Sequence, residues 1–334
     1  MKVSFSIIVC TYNPEEIIFL RLLNALLDIE IHSNFIDYEI IIIDNNSNIP
    51  ITSLDYVINF RLMSKAAMFI VEREQGLTSA RIAGILAAKY DWLIFFDDDN
   101  EPRKNYLAQA EKEINLYKNV GAFGPGIIEV KYFSKPNRWL NENKHLFQQR
   151  NEQNTILGND ISSQSYYPDG TGLIILKSIA LNYVKKVTNG TYTLTDRFGK
   201  SLSSGGDLQI CLNTALMGFS LGRSQLLKLN HNICGNKTNF KNILKMLYGV
   251  ESCNYKAHNE VLLWDSNQLK KFQYTNSVKV LKMLYYYFVV SKSSFKDSMV
   301  NYVRFVGQQK GISVLKNEKH PSSIINISAF FINR

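Results

Sequence analysis

Short apolar runs alternate with helical patterns through residues 1–100, which predicts a sheet with helices packed on its faces. Phe5–Cys10, Glu39–Ile43 and Trp92–Phe96 each have the length of a strand buried on both faces, and each runs out into polar residues. In open sheets of this kind, ligands bind at such strand ends. Asn13, Pro14, Glu15 and Glu16 predict a helix start: an asparagine cap, a proline at the first helical position and acids near the positive pole. That helix continues through Leu20, Leu23 and Leu27. Thr78 predicts the cap of a second helix, with Ile82, Ile85 and Leu86 on one face, leading through a turn at Asp91 into the Trp92 strand. Residues 121–175 hold several Gly and Pro, and "PDGTGLII" reads as a loop returning as an apolar strand. Leu208, Cys211, Leu212, Ala215 and Leu216 follow helical spacing, with Gly218 as the stop. From about residue 240 the pattern is helical and basic, without repeats. The expected architecture is an α/β domain over residues 1–239 and a helical basic extension over 240–334.

Composition sharpens this picture. With 334 residues, 46% hydrophobic and 12% aromatic, the chain can bury a core, and disorder is excluded. The net charge of +9 is localised: residues 241–334 carry 14 Lys and Arg against 5 Asp and Glu, and the remainder is neutral. A basic tail rich in Tyr, Phe, Leu and Val suits an anionic lipid surface, the alternative being a solvated helical lid or dimer face. Nucleic acid is not expected as a partner, because zinc-finger spacing, aromatic RNA-binding signatures and a continuous basic helix are all missing. Cys10, Cys211, Cys234 and Cys253 lack paired metal spacing, which fits reduced thiols. Met1 to Ser4 run directly into an apolar strand without a charged leader, so no export is expected. The greasy stretch Val278–Val290 is interrupted by Lys279 and Lys282 and is shorter than the roughly 20 residues of a membrane span. The expected location is cytoplasmic, with residues 240–334 available for peripheral contact with the inner face of the cell membrane.

The strongest chemical signal is "WLIFFDDDNEP", in which a buried strand delivers Asp97, Asp98 and Asp99 together at its carboxyl end. Adjacent carboxylates repel one another unless a cation or water screens them. Strand alternation would put Asp97 and Asp99 on one side, and hard oxygen ligands favour magnesium or manganese. The competing reading is a solvated acidic turn.

Four segments in order resemble family-two glycosyltransferases, which have the GT-A fold: "SIIVCTYNPEE", "EIIIIDNNSN", "EQGLTSARIAGI" and "FFDDDNEP". The resemblance covers about residues 3–235 and implies a nucleotide-sugar donor and a divalent metal. It would place Thr11, Tyr12 and Asn13 in the nucleotide pocket and Asp44 on the base. Arg81 would lie near the ribose or diphosphate, Asp97 and Asp98 near the donor, and Asp99 on the metal. As simpler roles, Thr11 and Asn13 are turn and cap residues, Asp44 terminates a strand, and Arg81 makes a surface salt bridge.

Further along, "LSSGGDLQICLNTALMGF" resembles the family segment that carries a Glu-Asp pair before a helix. Its Asp falls on Asp207, while Gly206 stands in the Glu position, as in one bacterial branch of the family. Asp207 is the expected base for the acceptor hydroxyl, its alternative role being the helix N-cap. Asp169 in "YYPDGTG", with Gly170 beside it, is a second candidate for acceptor or sugar contact, or an ordinary turn aspartate. The resemblance also implies a metal role for His231 in "LKLNHNI", against a purely structural one. "ARI" replaces the family's usual "ARN", and no "QxxRW" of processive synthases is present, so single transfer is expected. The implied reaction is inverting transfer to an acceptor hydroxyl of a glycan or lipid-linked carrier. Two other classes compete: a sugar nucleotidyltransferase, which needs a basic glycine-rich phosphate loop absent after the first strand, and an inactive carbohydrate- or lipid-binding module, which Gly206 would suit.

Overall fold

The computed structural model describes residues 3–33, 35–197, 203–271 and 277–317. Its strands are β1 (Ser4–Thr11), β2 (Asp37–Asp44), β3 (Ala67–Val71), β4 (Trp92–Asp97), β5 (Asn100–Pro102), β6 (Val120–Tyr132), β7 (Arg150–Asn151), β8 (Ile156–Gly158), β9 (Leu173–Leu176) and β10 (Ser220–Ile233). The helices are α1 (Glu16–His32), α2 (Asp55–Met63), α3 (Leu77–Ala87), α4 (Tyr106–Leu116), α5 (Arg138–Glu142), α6 (Lys177–Thr188), α7 (Gly206–Leu216), α8 (Phe240–Leu262), α9 (Ser266–Lys270), α10 (Ser277–Tyr285) and α11 (Phe295–Lys316). The strands form one mixed sheet in the order β3-β2-β1-β4-β9-β6-β10-β5, with β7 on β6 and β8 on β10.

The three expected strands form β1, β2 and β4, all parallel. Their registers bring Thr11 opposite Asp44, and Cys10 opposite Asp97, so the polar ends converge on one sheet edge. The β3 strand also reaches that edge, with Val71 opposite Asp44. Between strands, α1 turns Phe19, Leu22, Leu23, Leu26 and Ile29 inward at helical spacing onto Phe5, Ile7, Ile40 and Ile42. Burying each such large side chain contributes roughly 1.5–3 kcal/mol, enough to fix α1 on the sheet despite its uncapped start.

Both predicted helix starts need correction. The N-cap of α1 is Glu15, without a side-chain hydrogen bond, and that of α3 is Gly76. Asn13 lies in the left-handed region at φ 47° and does other work: its Oδ1 accepts the Asn48 amide at 2.8 Å, and its own amide donates to Ser47 Oγ at 2.9 Å. Cross-linking two loops therefore takes the polar side chain that would otherwise cap. Thr78 is buried inside the first turn of α3.

The chain divides into two compact units by contacts rather than at a single cut: residues 1–189 with 210–235, and 190–209 with 236–334. Within the second, α8 packs on α11, and Leu194, Cys253 and Ala257 form a small apolar cluster. Glu260 ties the 190–209 segment to α8, accepting the Thr193 hydroxyl at 2.6 Å and Gln209 Nε2 at 2.7 Å. No helix among the described residues is long and apolar enough to cross a membrane.

Asp196, buried in the same unit, provides a capping contact of the kind that stood as the alternative role for Asp207. Its Oδ1 accepts the amides of Gly205 and Gly206 at 2.8 and 3.0 Å, which caps the start of α7. Gly205 has no room for a side chain there, since a Cβ would stand 2.4 Å from Leu194 Cδ2. Replacing Asp196 with Ala should cost about 1–3 kcal/mol in urea unfolding, because two amides lose their acceptor. Asn at this position should restore most of the loss; a neutral Asp196→Ala would show that water satisfies those amides equally well.

Candidate active site

The sheet edge gathers residues that are far apart in sequence. The β4 strand ends at Asp97, and Asp98 and Asp99 form the turn into β5. Alternation therefore stops before Asp99, and the expected shared side for Asp97 and Asp99 gives way to three separate directions. Asp97 Oδ2 accepts the Thr171 hydroxyl at 3.4 Å, Asp98 Oδ2 accepts the Thr11 hydroxyl at 2.8 Å, and Asp99 Oδ2 faces His231 Nε2 at 3.3 Å. Asn100 stitches the turn, its Oδ1 accepting the Asp97 amide at 3.1 Å and its Nδ2 donating to Asp99 Oδ1 at 3.0 Å.

His231 reaches Asp99 because β10 pairs antiparallel with β5, which sets His231 directly across from Asn100. The next residue locks the pairing, the Asn232 amide donating to the Asp99 carbonyl at 2.8 Å. On the other side of the ring, Nδ1 lies 2.9 Å from the Phe147 carbonyl, an acceptor, so Nδ1 carries a proton. Nε2 then meets the carboxylate of Asp99, 4% exposed, through either a second ring proton or a shared cation. The donor set fits manganese or magnesium: one carboxylate oxygen and one imidazole nitrogen, oriented by a backbone carbonyl as metal-bound histidines are. No group of three or more His, Cys, Asp or Glu among the described residues could hold a metal.

The remaining candidate residues lie at or near the same sheet edge. Thr11 is buried and Tyr12 is exposed. Asp44 is buried, and its two oxygens accept the Ser47 and Ile51 amides at 2.9 and 3.0 Å, holding the loop after β2 in shape. Arg81 is buried in α3, and its charge reaches the end of β1. Loss of hydration pushes the Cys10 thiol up to about 12; the Arg81 cation pulls it down, while Asp97 and Asp98 push it further up. A cation thus shares this corner with two carboxylates. Asn45, missed by sequence reasoning, ties the edge together. Its Nδ2 donates to the Glu74 carbonyl at 2.7 Å, and its Oδ1 accepts the Gly76 amide at 2.7 Å, joining β2 to the start of α3. The "DNN" run after a strand was the available signal.

Asp169 and Gly170 precede Thr171, whose hydroxyl donates to Asp97. Asp169 is half-exposed and ion-paired to Arg150 on β7. Arg223 stands nearby, paired with Glu152 at 2.8 Å and donating to the Ser165 carbonyl at 2.5 Å. Burial, then the neighbouring Arg150 cation, lowers its pKa, against the pull of Glu152 and Asp169. Asp207 is half-buried in the first turn of α7, past the cap that Asp196 provides. A separate cleft of about 610 Å³ opens between α1 and residues 101–104, lined in part by Arg21, Asp28, Glu101 and Arg103, and none of the three clustered aspartates borders it.

Residues 6–168 match the family model of Glycosyl transferase family 2. Over those residues, just under half of the chain, it is similar to glycosyltransferase family two. The glycosyltransferase has the GT-A fold, carried by the curled mixed sheet, with a C-terminal helical extension. The matched span includes the sheet-edge acids, while Asp207 and His231 lie beyond it. Among solved structures, S. aureus TarS 1-349 is similar, at 14% identity and a TM-score of 0.48, over 96% of this chain and 93% of that one. The same segment of TarS in complex with UDP-GlcNAc gives 12% identity and a TM-score of 0.49, with the same coverage. S. aureus TarS gives 13% and 0.48, over 93% of this chain and 55% of that one. No curated protein matches the glycosyltransferase.

Proposed function

We propose that this glycosyltransferase is an inverting, metal-dependent enzyme that moves a sugar from a nucleotide-sugar donor to an acceptor hydroxyl of a surface glycan or lipid-linked carrier. The observation that carries the reading is the contact of Asp99 with His231, with the far ring nitrogen anchored on a carbonyl. Thr11, Tyr12, Asn13 and Asp44 line the nucleoside side of the donor pocket, and Asp97 and Asp98 face the donor. Asp99 and His231 would hold a divalent cation such as manganese or magnesium, which would supply charge neutralisation for the departing diphosphate. Arg81 adds a fixed cation on the same leaving group. Asp207 takes the proton of the acceptor hydroxyl while its oxygen attacks the anomeric carbon; the bond to the diphosphate oxygen breaks on the opposite face, so configuration inverts. Asp169, held by Arg150, contacts the acceptor or the transferred sugar. The basic region 240–334 keeps the enzyme at the inner membrane face, where a lipid-linked acceptor is presented.

Adding donor and acceptor with manganese should release nucleoside diphosphate and give a product of inverted anomeric configuration by NMR. Retained configuration would exclude a single displacement. Pyrophosphate release would instead identify a nucleotidyltransferase, and donor binding without turnover an inactive binding module. A thermal-shift panel of nucleoside diphosphates, with and without manganese, identifies the base the pocket accepts.

A further inference from the structure

The basic character of the second unit has a focus. Between Asp265 and Asp297 the sequence contains six lysines and no acidic residue. Here α10 runs directly into a π-helical turn, Tyr286–Val290. Val278, Leu281, Tyr285 and Val289 follow one another at intervals of three and four, which puts them on one face. They are 59%, 60%, 61% and 58% exposed, an apolar stripe in open solvent. Phe295 extends it at 70% exposure, and Lys282 and Lys292 are exposed as well.

The other side of the same segment is firmly held. Val280 is buried, and the rings of Tyr287 and Phe288 meet Tyr302 of α11 edge-on at 6.4 and 6.1 Å. The Tyr287 carbonyl accepts the hydroxyls of Ser291 and Ser298 at 2.7 and 2.6 Å. The stripe is therefore displayed by a fixed corner. Its charge decides what could cover it. A second copy of the stripe would bring lysines against lysines with no carboxylate in the segment to meet them. Phosphate headgroups meet the lysines, and the acyl boundary takes the aliphatic and tyrosine side chains.

We propose that Val278, Leu281, Tyr285 and Val289 insert among the headgroups of an anionic phospholipid surface, with Lys282 and Lys292 on its phosphates. This rests on reading 240–334 as the membrane contact and not on the transfer chemistry. The full chain should float with vesicles of phosphatidylcholine mixed with phosphatidylglycerol, and not with phosphatidylcholine alone. Leu281→Asp combined with Tyr285→Asp should lower vesicle-bound protein about tenfold or more. Lys282→Glu with Lys292→Glu should act in the same direction and flatten the salt dependence. All four positions are exposed, so unfolding temperature and nucleoside diphosphate release with a water-soluble acceptor should stay at wild-type values. Undiminished flotation of the Leu281→Asp/Tyr285→Asp chain overturns the proposal, as does a wild-type dimer, seen by light scattering, that the same pair dissolves. Flotation needs no turnover: an inactive chain that floats supports the lipid contact while refuting the transferase reading, and an active chain that stays down does the reverse.

Discussion

Asp99→Asn is expected to lower kcat/KM for transfer by about 10²–10³-fold and to abolish the response to manganese, while leaving the fold intact. The substitution keeps shape and removes charge. Asn retains an oxygen for the Asn100 side chain, and the backbone bond from Asn232 to the residue 99 carbonyl is untouched. What disappears is the anionic oxygen 3.3 Å from His231. His231→Asn should produce a loss of similar kind, and the two should be strongly non-additive, because residues serving one cation fail together. The double variant should then be little worse than either single one. Were Asp99 and His231 only an internal ion pair, both variants would lose stability and keep their manganese response. Activity and metal response unchanged in Asp99→Asn would remove the proposed metal role altogether.

How much of this could be read from the chain depends on the range of the interaction. The runs of β1, β2 and β4 are legible because burial on both faces forces unbroken apolar residues, and α1 is legible as a helix, although of Leu20, Leu23 and Leu27 only Leu23 lies on its buried face. The β3 strand escaped notice: Ala67–Val71 is half-exposed at the sheet margin, with no alternation to mark it. The helix starts were misplaced for a physical reason, since Asn13 spends its side chain on a loop 35 residues away, an option local propensity cannot see. Asp196 shows the same limit, for it caps α7 by accepting amides nine and ten residues downstream. The three aspartates were visible as a cluster, but their separate directions follow from the strand ending at Asp97. Nothing local in "LKLNHNI" reveals that β10 will lie against β5 and bring His231 to Asp99, and only the family resemblance pointed there.

Asp207→Asn should reduce kcat by about 10²- to 10⁴-fold, the range that a positioned general base contributes, with little change in donor affinity. The capping arrangement makes this substitution informative. In a helix begun by its own aspartate, loss of rate could follow from a frayed first turn; here Asp196 holds the amides of Gly205 and Gly206. Asp207→Asn should accordingly shift unfolding stability by less than about 1 kcal/mol, within the effect expected for losing one acid near a helix N-terminus. Asp196→Ala gives the contrasting signature, a stability loss with whatever fall in rate a loosened α7 causes, and Asp196→Asn should largely reverse both. Thermal stabilisation by nucleoside diphosphate with manganese should persist in Asp207→Asn, because the donor side of the reaction uses other residues. A fall of less than about tenfold in kcat would mean that Asp207 is not the base. The next carboxylate to test would be Asp169, which Arg150 holds two residues before the threonine that touches Asp97.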